Sequence, residues 1–348
     1  TLVGGQASQD YQDRTKAAKD LLIIGNLIRG ERIKEALSLI AESQDRTFQV
    51  RLLNYLLTAT QGKRSQSAVC ITLSSLVKKL TAGDLVALLM NKENHKVLRE
   101  YAAFSLRLHP DAESRTVLIG TLHDSENHVG LKHQSIRALN THRHPESLDA
   151  FIEVLRNSEN SCSLRIAAAG SLGKYSDAES RNALLEVLQN SENDNDLRKT
   201  AAYSLGNNLD EESRDALIAV LQNSQNDIEL RKAAANSLGK HTSDAENRDA
   251  LIAVLQNSEN DKWLRFEAAS SLGIYSDAES RAALIASLHN TENSEWLRSQ
   301  IACMLREHPC KESRAALIKV LKMPDSGEEL KSACQDILRF EGFLTPWQ

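Results

Sequence analysis

The residues of this chain that could do chemistry are ten histidines, five cysteines and a set of arginines that returns at a fixed interval. Spacing decides what each group can do. His109, His142, His144 and His308 fall in turns beside Pro110, Pro145 and Pro309, without the interval to a second ligand that a metal site needs, so they read as turn residues. Cys70, Cys162, Cys303, Cys310 and Cys334 are an odd and scattered set, which predicts free thiols rather than a disulfide framework or a zinc site. Cys303 and Cys310 have no His or Asp at a spacing that would make either a nucleophile. A phosphate-binding glycine loop, a nucleophile elbow and paired catalytic carboxylates are all missing from the sequence. The chain therefore reads as non-catalytic, with no metal and no cofactor.

The arginines at 99, 165, 198, 231, 265 and 298 remain. A ladder of cations could bind an anion, but recurrence in every unit speaks for architecture. Each planar guanidinium is expected to pair with carboxylates or carbonyls of a neighbouring repeat. The elements that carry them follow from the same interval. Leu-Arg or Leu-Lys begins at Leu98, Leu131, Leu164, Leu197, Leu230, Leu264, Leu297 and Leu330, a spacing of 33 residues broken once by 34, where the extra residue falls in the turn His241 to Asp244. Within one unit Leu230, Ala234, Ser237 and Leu238 make a helical stripe, with small residues that let helices approach. Leu251, Ile252, Val254 and Leu255 give the second helix a broader apolar face.

Punctuation agrees with this period. Asp111, Asp177, Asp210, Asp244 and Asp277 stand where second helices begin and are expected to cap them. The Asn-Ser-Glu-Asn runs at Asn157, Asn190 and Asn257 are expected to end those helices in left-handed geometry, with Asn160, Asn193 and Asn260 capping the next helix in the chain. No alternating β-branched runs and no Asn-Gly or Asp-Gly turns occur, so the class is all-α. A helix pair cannot bury both its faces alone, so units must stack; eight layers of helices about 10 Å wide make an α-solenoid on the order of 80 Å long.

Upstream of residue 81 the period fades. Helices are expected at 16–29, 31–42, 48–60 and 67–80, with Gly30 and Gly62 as stops, forming a divergent cap or small domain over 1–80 ahead of the repeats at 81–340. In the tail, 341–348, Phe343 and Trp347 join Phe340 as the expected seal of the last repeat. A start at Thr1 rather than Met leaves open a processed product, a region of a larger protein, and either cytoplasm or export.

On each first helix, the positions one before, two after and six after the repeat leucine lie opposite the buried stripe. They carry Phe104, His133, Arg137, Lys199, Tyr203, Lys232, Trp263, Phe266 and Trp296, the candidate partner-binding residues. Only 4% of the chain is aromatic, and large exposed apolar side chains carry a solubility cost unless they are used. Trp263, Phe266 and Trp296 come from adjacent repeats and read either as an interface hot spot or as rings packed across the seam between repeats.

The pattern Leu-Arg-x-x-Ala-Ala-x-x-Leu-Gly followed by Asp-x-Glu-x-x-x-Ala-Leu-Ile-x-x-Leu resembles the HEAT-like repeats of phycobilisome lyases, over roughly residues 81–340. The resemblance implies a right-handed HEAT- or armadillo-like superhelix whose first helices line a concave groove, and a scaffold that binds a protein or peptide there. It also leaves open a lyase-like activity on phycobiliprotein chromophores. Similar repeats in deoxyhypusine hydroxylase carry His-Glu pairs for iron, and no histidine here is followed by Glu. HEAT-like DNA glycosylases use a basic concave face. Here a net charge of -5, with both signs mixed along the chain, argues against nucleic acid, and no apolar run is long enough to span a membrane.

Overall fold

A computed structural model describes residues 37, 43, 45–62 and 66–339, which form 18 α-helices and no strand. The region predicted as helix at 16–29, Gly30, and Phe340, Phe343 and Trp347 lie outside these residues; of the helix predicted at 31–42, only Leu37 is described, helical and buried. The chain divides into two compact units, one ending at Ala150 and the other beginning at Phe151.

In the second unit every Leu-Arg or Leu-Lys pair lies in a leading helix: Cys162–Leu172, Asn195–Leu205, Ile228–Gly239, Lys262–Leu272, Glu295–Leu305 and Glu328–Leu338. Trailing helices alternate with them: Ala178–Gln189, Glu211–Gln222, Ala245–Gln256, Ala278–His289 and Lys311–Lys322. Each leading helix packs on the next leading helix and each trailing helix on the next trailing one, giving two layers in which a repeat touches only its neighbours. The core is Leu, Ala and Val: Leu230, Ala234 and Leu238 of a leading helix are fully buried, as are Leu251 and Leu255 of the trailing one.

Leading helices come close because small residues meet. A Cβ on Gly173, Gly206 or Gly239 would stand 2.5–2.7 Å from the Cβ of Ser204, Ser237 or Ser271 in the following repeat. The same serines donate across the seam: Ser204 Oγ to Ala169 O (3.0 Å), Ser237 Oγ to Ala202 O (3.0 Å) and Ser271 Oγ to Ala235 O (3.2 Å).

The arginines are structural, as their repetition implied. Arg231 Nε donates to Leu221 O (2.9 Å) and its Nη2 to Asn260 Oδ1 (2.8 Å), and Asn260 Nδ2 donates to Val254 O (3.1 Å). Each guanidinium thus ties the carbonyl end of the preceding trailing helix to the loop after the next one. Arg99, Arg165, Arg198 and Arg265 repeat the pattern on Asn127, Asn193, Asn226 and Asn293, while Arg298 uses Ser326.

This network corrects two expectations. Asn160, Asn193 and Asn260 do not cap the next helix; their amides are spent on the trailing-helix carbonyls, and in the last two cases the cap is the following aspartate, Asp194 or Asp261. Asn190 and Asn257 are extended rather than left-handed (φ -80° and -78°), because each folds its side-chain oxygen onto the N–H two residues on. The aspartate caps hold as expected: Asp111, Asp177, Asp210 and Asp277 accept from Ser114, Ser180, Ser213 and Ser280, and Asp244 from Glu246 and Asn247.

The first unit uses the same two-layer scheme. Lys96–Ser105 packs on Val129–His142 and Ala82–Met90 on Ala112–His123, with Arg46–Ala59 and Gln66–Val77 ahead of them. The break at Gly62 is real, since its φ of 73° is a left-handed conformation.

Candidate functional site

The aromatic residues singled out in the second unit meet at its surface. Asp261 caps the helix Lys262–Leu272 by accepting from Trp263 N (2.7 Å), which fixes Trp263 at the first turn, and Phe266 follows on the same face. One repeat later Ser294 caps Glu295–Leu305 and sets Trp296 at the equivalent position. The ring centroids of Trp263 and Trp296 are 4.5 Å apart and inclined at 61°; Phe266 lies 5.3 Å from Trp296 and 6.5 Å from Trp263. Edge-to-face contacts of this kind stabilise a pair beyond the area they bury.

Phe266 and Trp296 are half-buried, yet Trp263 keeps 47% of its surface exposed. The rings therefore pack across the seam and still present an indole to solvent. Lys262 Nζ sits 5.5 Å from the Trp263 ring centroid, which adds a cation to the rim. Of the outward positions on the leading helices, Ser299 departs from expectation. It is buried, and its hydroxyl finds no partner among the described residues.

The remaining candidates are occupied locally. Lys199 pairs with Asp196 (2.6 Å) and Lys232 with Glu229 (2.9 Å), one helical turn apart on their own helices. Tyr203 is 44% exposed, with Lys240 Nζ 5.9 Å from its ring centroid. In the first unit Phe104 is stacked by two guanidinium groups, Arg107 at 4.1 Å and Arg137 at 4.7 Å, while burial holds the half-buried His133 imidazole below its ordinary pKa. Of the four histidines expected in turns, His142 instead ends the helix Val129–His142, where its Nε2 donates to Leu106 O (3.0 Å), and His308 Nε2 donates to Gly273 O (2.6 Å).

The five cysteines are free, and burial pushes the Cys334 thiol up to about 11, far from a reactive thiolate. Among the described residues no cluster of three or more His, Cys, Asp or Glu could hold a metal ion, and no helix is long and apolar enough to cross a membrane.

Sequence reading missed a second arginine row, on the trailing helices. Arg181 pairs with Asp210 (2.7 Å), Arg214 with Glu246 (2.8 Å) and Asp244 (3.6 Å), and Arg248 with Asp277 and Glu279 (3.8 Å each), so each reaches the first turn of the next trailing helix. The recurrent Ser-Arg after Asp-x-Glu was its signal.

Residues 150–229 and 215–306 match the HEAT repeats family, and the stacked pairs described above have the all-α solenoid fold of such repeats. Among solved structures, one of Kap95p with RanGDP is similar over 87% of this chain and 44% of that chain, at 13% identity and a TM-score of 0.53. The Kap95:Nup1 complex matches over 91% and 54%, at 14% identity and a TM-score of 0.50. The complex of CpcE and CpcF of phycocyanin lyase from Nostoc sp. matches over 75% and 96%, at 19% identity and a TM-score of 0.40. At these identities the likeness is one of fold. A comparison with curated proteins gives no match.

Proposed function

We propose that this chain is a scaffold that binds a protein partner on the face of its leading helices, in the groove those helices are expected to line, with Trp263, Phe266 and Trp296 as the anchor. The observation that carries this reading is the exposed indole of Trp263 resting on Trp296 and Phe266. In a chain with three tryptophans, two occupy the same register of adjacent repeats, and the cost of leaving an indole in water calls for a use. Rigid aromatic groups held by their neighbours are the side chains that dominate binding energy at protein interfaces. The fold agrees with this use, since Kap95 shares it and its structures hold Nup1 and RanGDP.

Lys199, Lys232 and Tyr203, at the outward positions of the two preceding leading helices, supply a polar margin to the anchor. Phe104, His133 and Arg137 belong to the first unit, where Arg137 already covers Phe104.

The test is to identify proteins crosslinked to the full chain in its native lysate and to measure the purified partner's affinity by isothermal titration calorimetry. Replacing Trp263 by Ala should cost about 2 kcal/mol of binding or more, roughly 30-fold in Kd, with helical circular dichroism unchanged. Unaltered affinity in Trp263→Ala and Trp296→Ala would remove the anchor from the interface.

A further inference from the structure

The trailing-helix layer of the second unit carries a separate feature. A groove of about 600 Å³ opens between Ala278–His289 and Lys311–Lys322, floored by Ala282, Ala286, Ala315 and Ile285 and bordered by Arg281, His289 and Lys319, with Glu312 at one end. Arg281 is the rung of the trailing arginine row at this position, and it has lost the partners its predecessors use. Arg214 and Arg248 each have an aspartate next to them, Asp215 and Asp249, and each meets an aspartate cap one repeat on, Asp244 and Asp277. Beside Arg281 stands Ala282, and the cap it would meet is Cys310. Only the more distant Glu312 remains, and Arg281 makes no side-chain hydrogen bond or ion pair among the described residues.

Charge changes in the same direction along the layer. Glu211–Gln222 carries one cation against three carboxylates, whereas Lys311–Lys322 carries four cations against one. His289 is turned inward: its Nε2 donates to Ala316 O (3.1 Å), and burial holds the imidazole below its ordinary pKa. The groove thus offers a guanidinium and an ammonium, neither in a hydrogen bond or ion pair among the described residues, over an alanine floor, open along its side.

We infer that this groove binds an acidic, apolar peptide segment, with one carboxylate on Arg281 towards one end, a second on Lys319 towards the other, and an aliphatic or aromatic side chain on the alanine floor between them. An open trough flanked by helices suits a chain that passes through it, and the two unpaired cations select the sign of the partner's charge. This site lies on the layer opposite the tryptophans and does not depend on the function proposed above.

The experiment is a methyl NMR titration of the full chain, labelled at Ala and Ile, with a short synthetic peptide alternating Glu and Leu and with its Lys–Leu counterpart. The Glu peptide should shift the methyl signals of Ala282, Ala286, Ala315 and Ile285 and the Lys peptide should not. Arg281→Ala should weaken that binding about tenfold, Ala286→Trp should abolish it by filling the trough, and Arg214→Ala should leave it unchanged. Equal binding of the Lys peptide, no shift with either peptide, or indifference to both groove variants in folded protein would overturn the assignment.

Discussion

The two units build the same layers with different residues at the same register. In the second unit Gly173, Gly206 and Gly239, at the ends of three leading helices, each lie against a serine of the next repeat, and Asp194, Asp227 and Asp261 cap leading helices. In the first unit Arg107 and Asn140 stand where the glycines would be, a short 3-10 turn at Leu106–Leu108 follows one leading helix, and the caps are His95 and His128. Lys132 replaces the rung arginine there; most of its side chain is covered, and its ammonium makes no hydrogen bond or ion pair among the described residues. The layered architecture therefore does not require the full set of repeat-to-repeat ties. The glycine–serine contacts and the aspartate caps of the leading helices fall within the HEAT match at 150–306, whereas the rung at Arg99 lies outside it.

The largest test of this difference is at the rung. Arg231→Ala removes a guanidinium with two good hydrogen bonds and leaves Leu221 O and Asn260 Oδ1 without their donor in a dry seam. The expected loss is about 2 kcal/mol, measured by urea denaturation followed at 222 nm. Lys132→Met, which removes an ammonium that makes no hydrogen bond or ion pair among the described residues, should be close to neutral. Equal losses at both positions would erase the distinction between the units.

Much of this was legible in the residues. The interval of the Leu-Arg pairs located the leading helices that carry them, the aspartates located five of the trailing ones, and the outward angle of Trp263, Phe266 and Trp296 brought the three rings together. Asparagine was misread because at Asn190 and Asn257 a bond to the N–H two residues on keeps the backbone extended, and because at Asn193 and Asn260 capping is outweighed by a distant partner: the arginine 28 or 29 residues earlier claims the side-chain oxygen. The glycine-to-serine approach escaped notice for the same reason, since Gly206 looks like a helix stop until Ser237 of the next repeat is placed against it. The groove at Arg281 depends on which carboxylates are missing around one rung, and that is visible only once the partners of Arg214 and Arg248 are known.

A middle-sized effect is expected at the glycine contact. Gly239→Ala would place a Cβ 2.5 Å from that of Ser271, and overpacking of this kind costs about 1–3 kcal/mol, partly offset by the better helix propensity of alanine. Ser271→Gly should relieve the strain, so a double-mutant cycle should show a favourable coupling between the two changes. Additive effects would mean that the leading helices are not in contact through these residues.

The smallest expected effect is acid sensitivity, and it should be uneven. His95 accepts from Val97 N through Nδ1, so it must be unprotonated to cap its helix, and protonation would also set a positive charge at the positive end of that helix beside Lys96. Burial, with Lys96 second, holds the His95 imidazole below its ordinary value of 6.5, and burial does the same for His133 and His142. Because the unfolded chain takes up these protons first, their contribution is complete above about pH 6.5 and is lost as pH falls through the lower folded values. In the second unit the aspartate cap Asp194 is held below its ordinary value of 3.8, chiefly by the N–H of Asp196, so it keeps its charge through this window. His289 is the titrating histidine there whose pKa burial depresses. Hydrogen exchange at pH 7.5 and 5.5, corrected for intrinsic rates, should therefore show protection falling first in Lys96–Ser105 and Val129–His142, with Asn195–Leu205 little changed. Uniform loss across both units would show that the choice of capping residue does not set their response to acid.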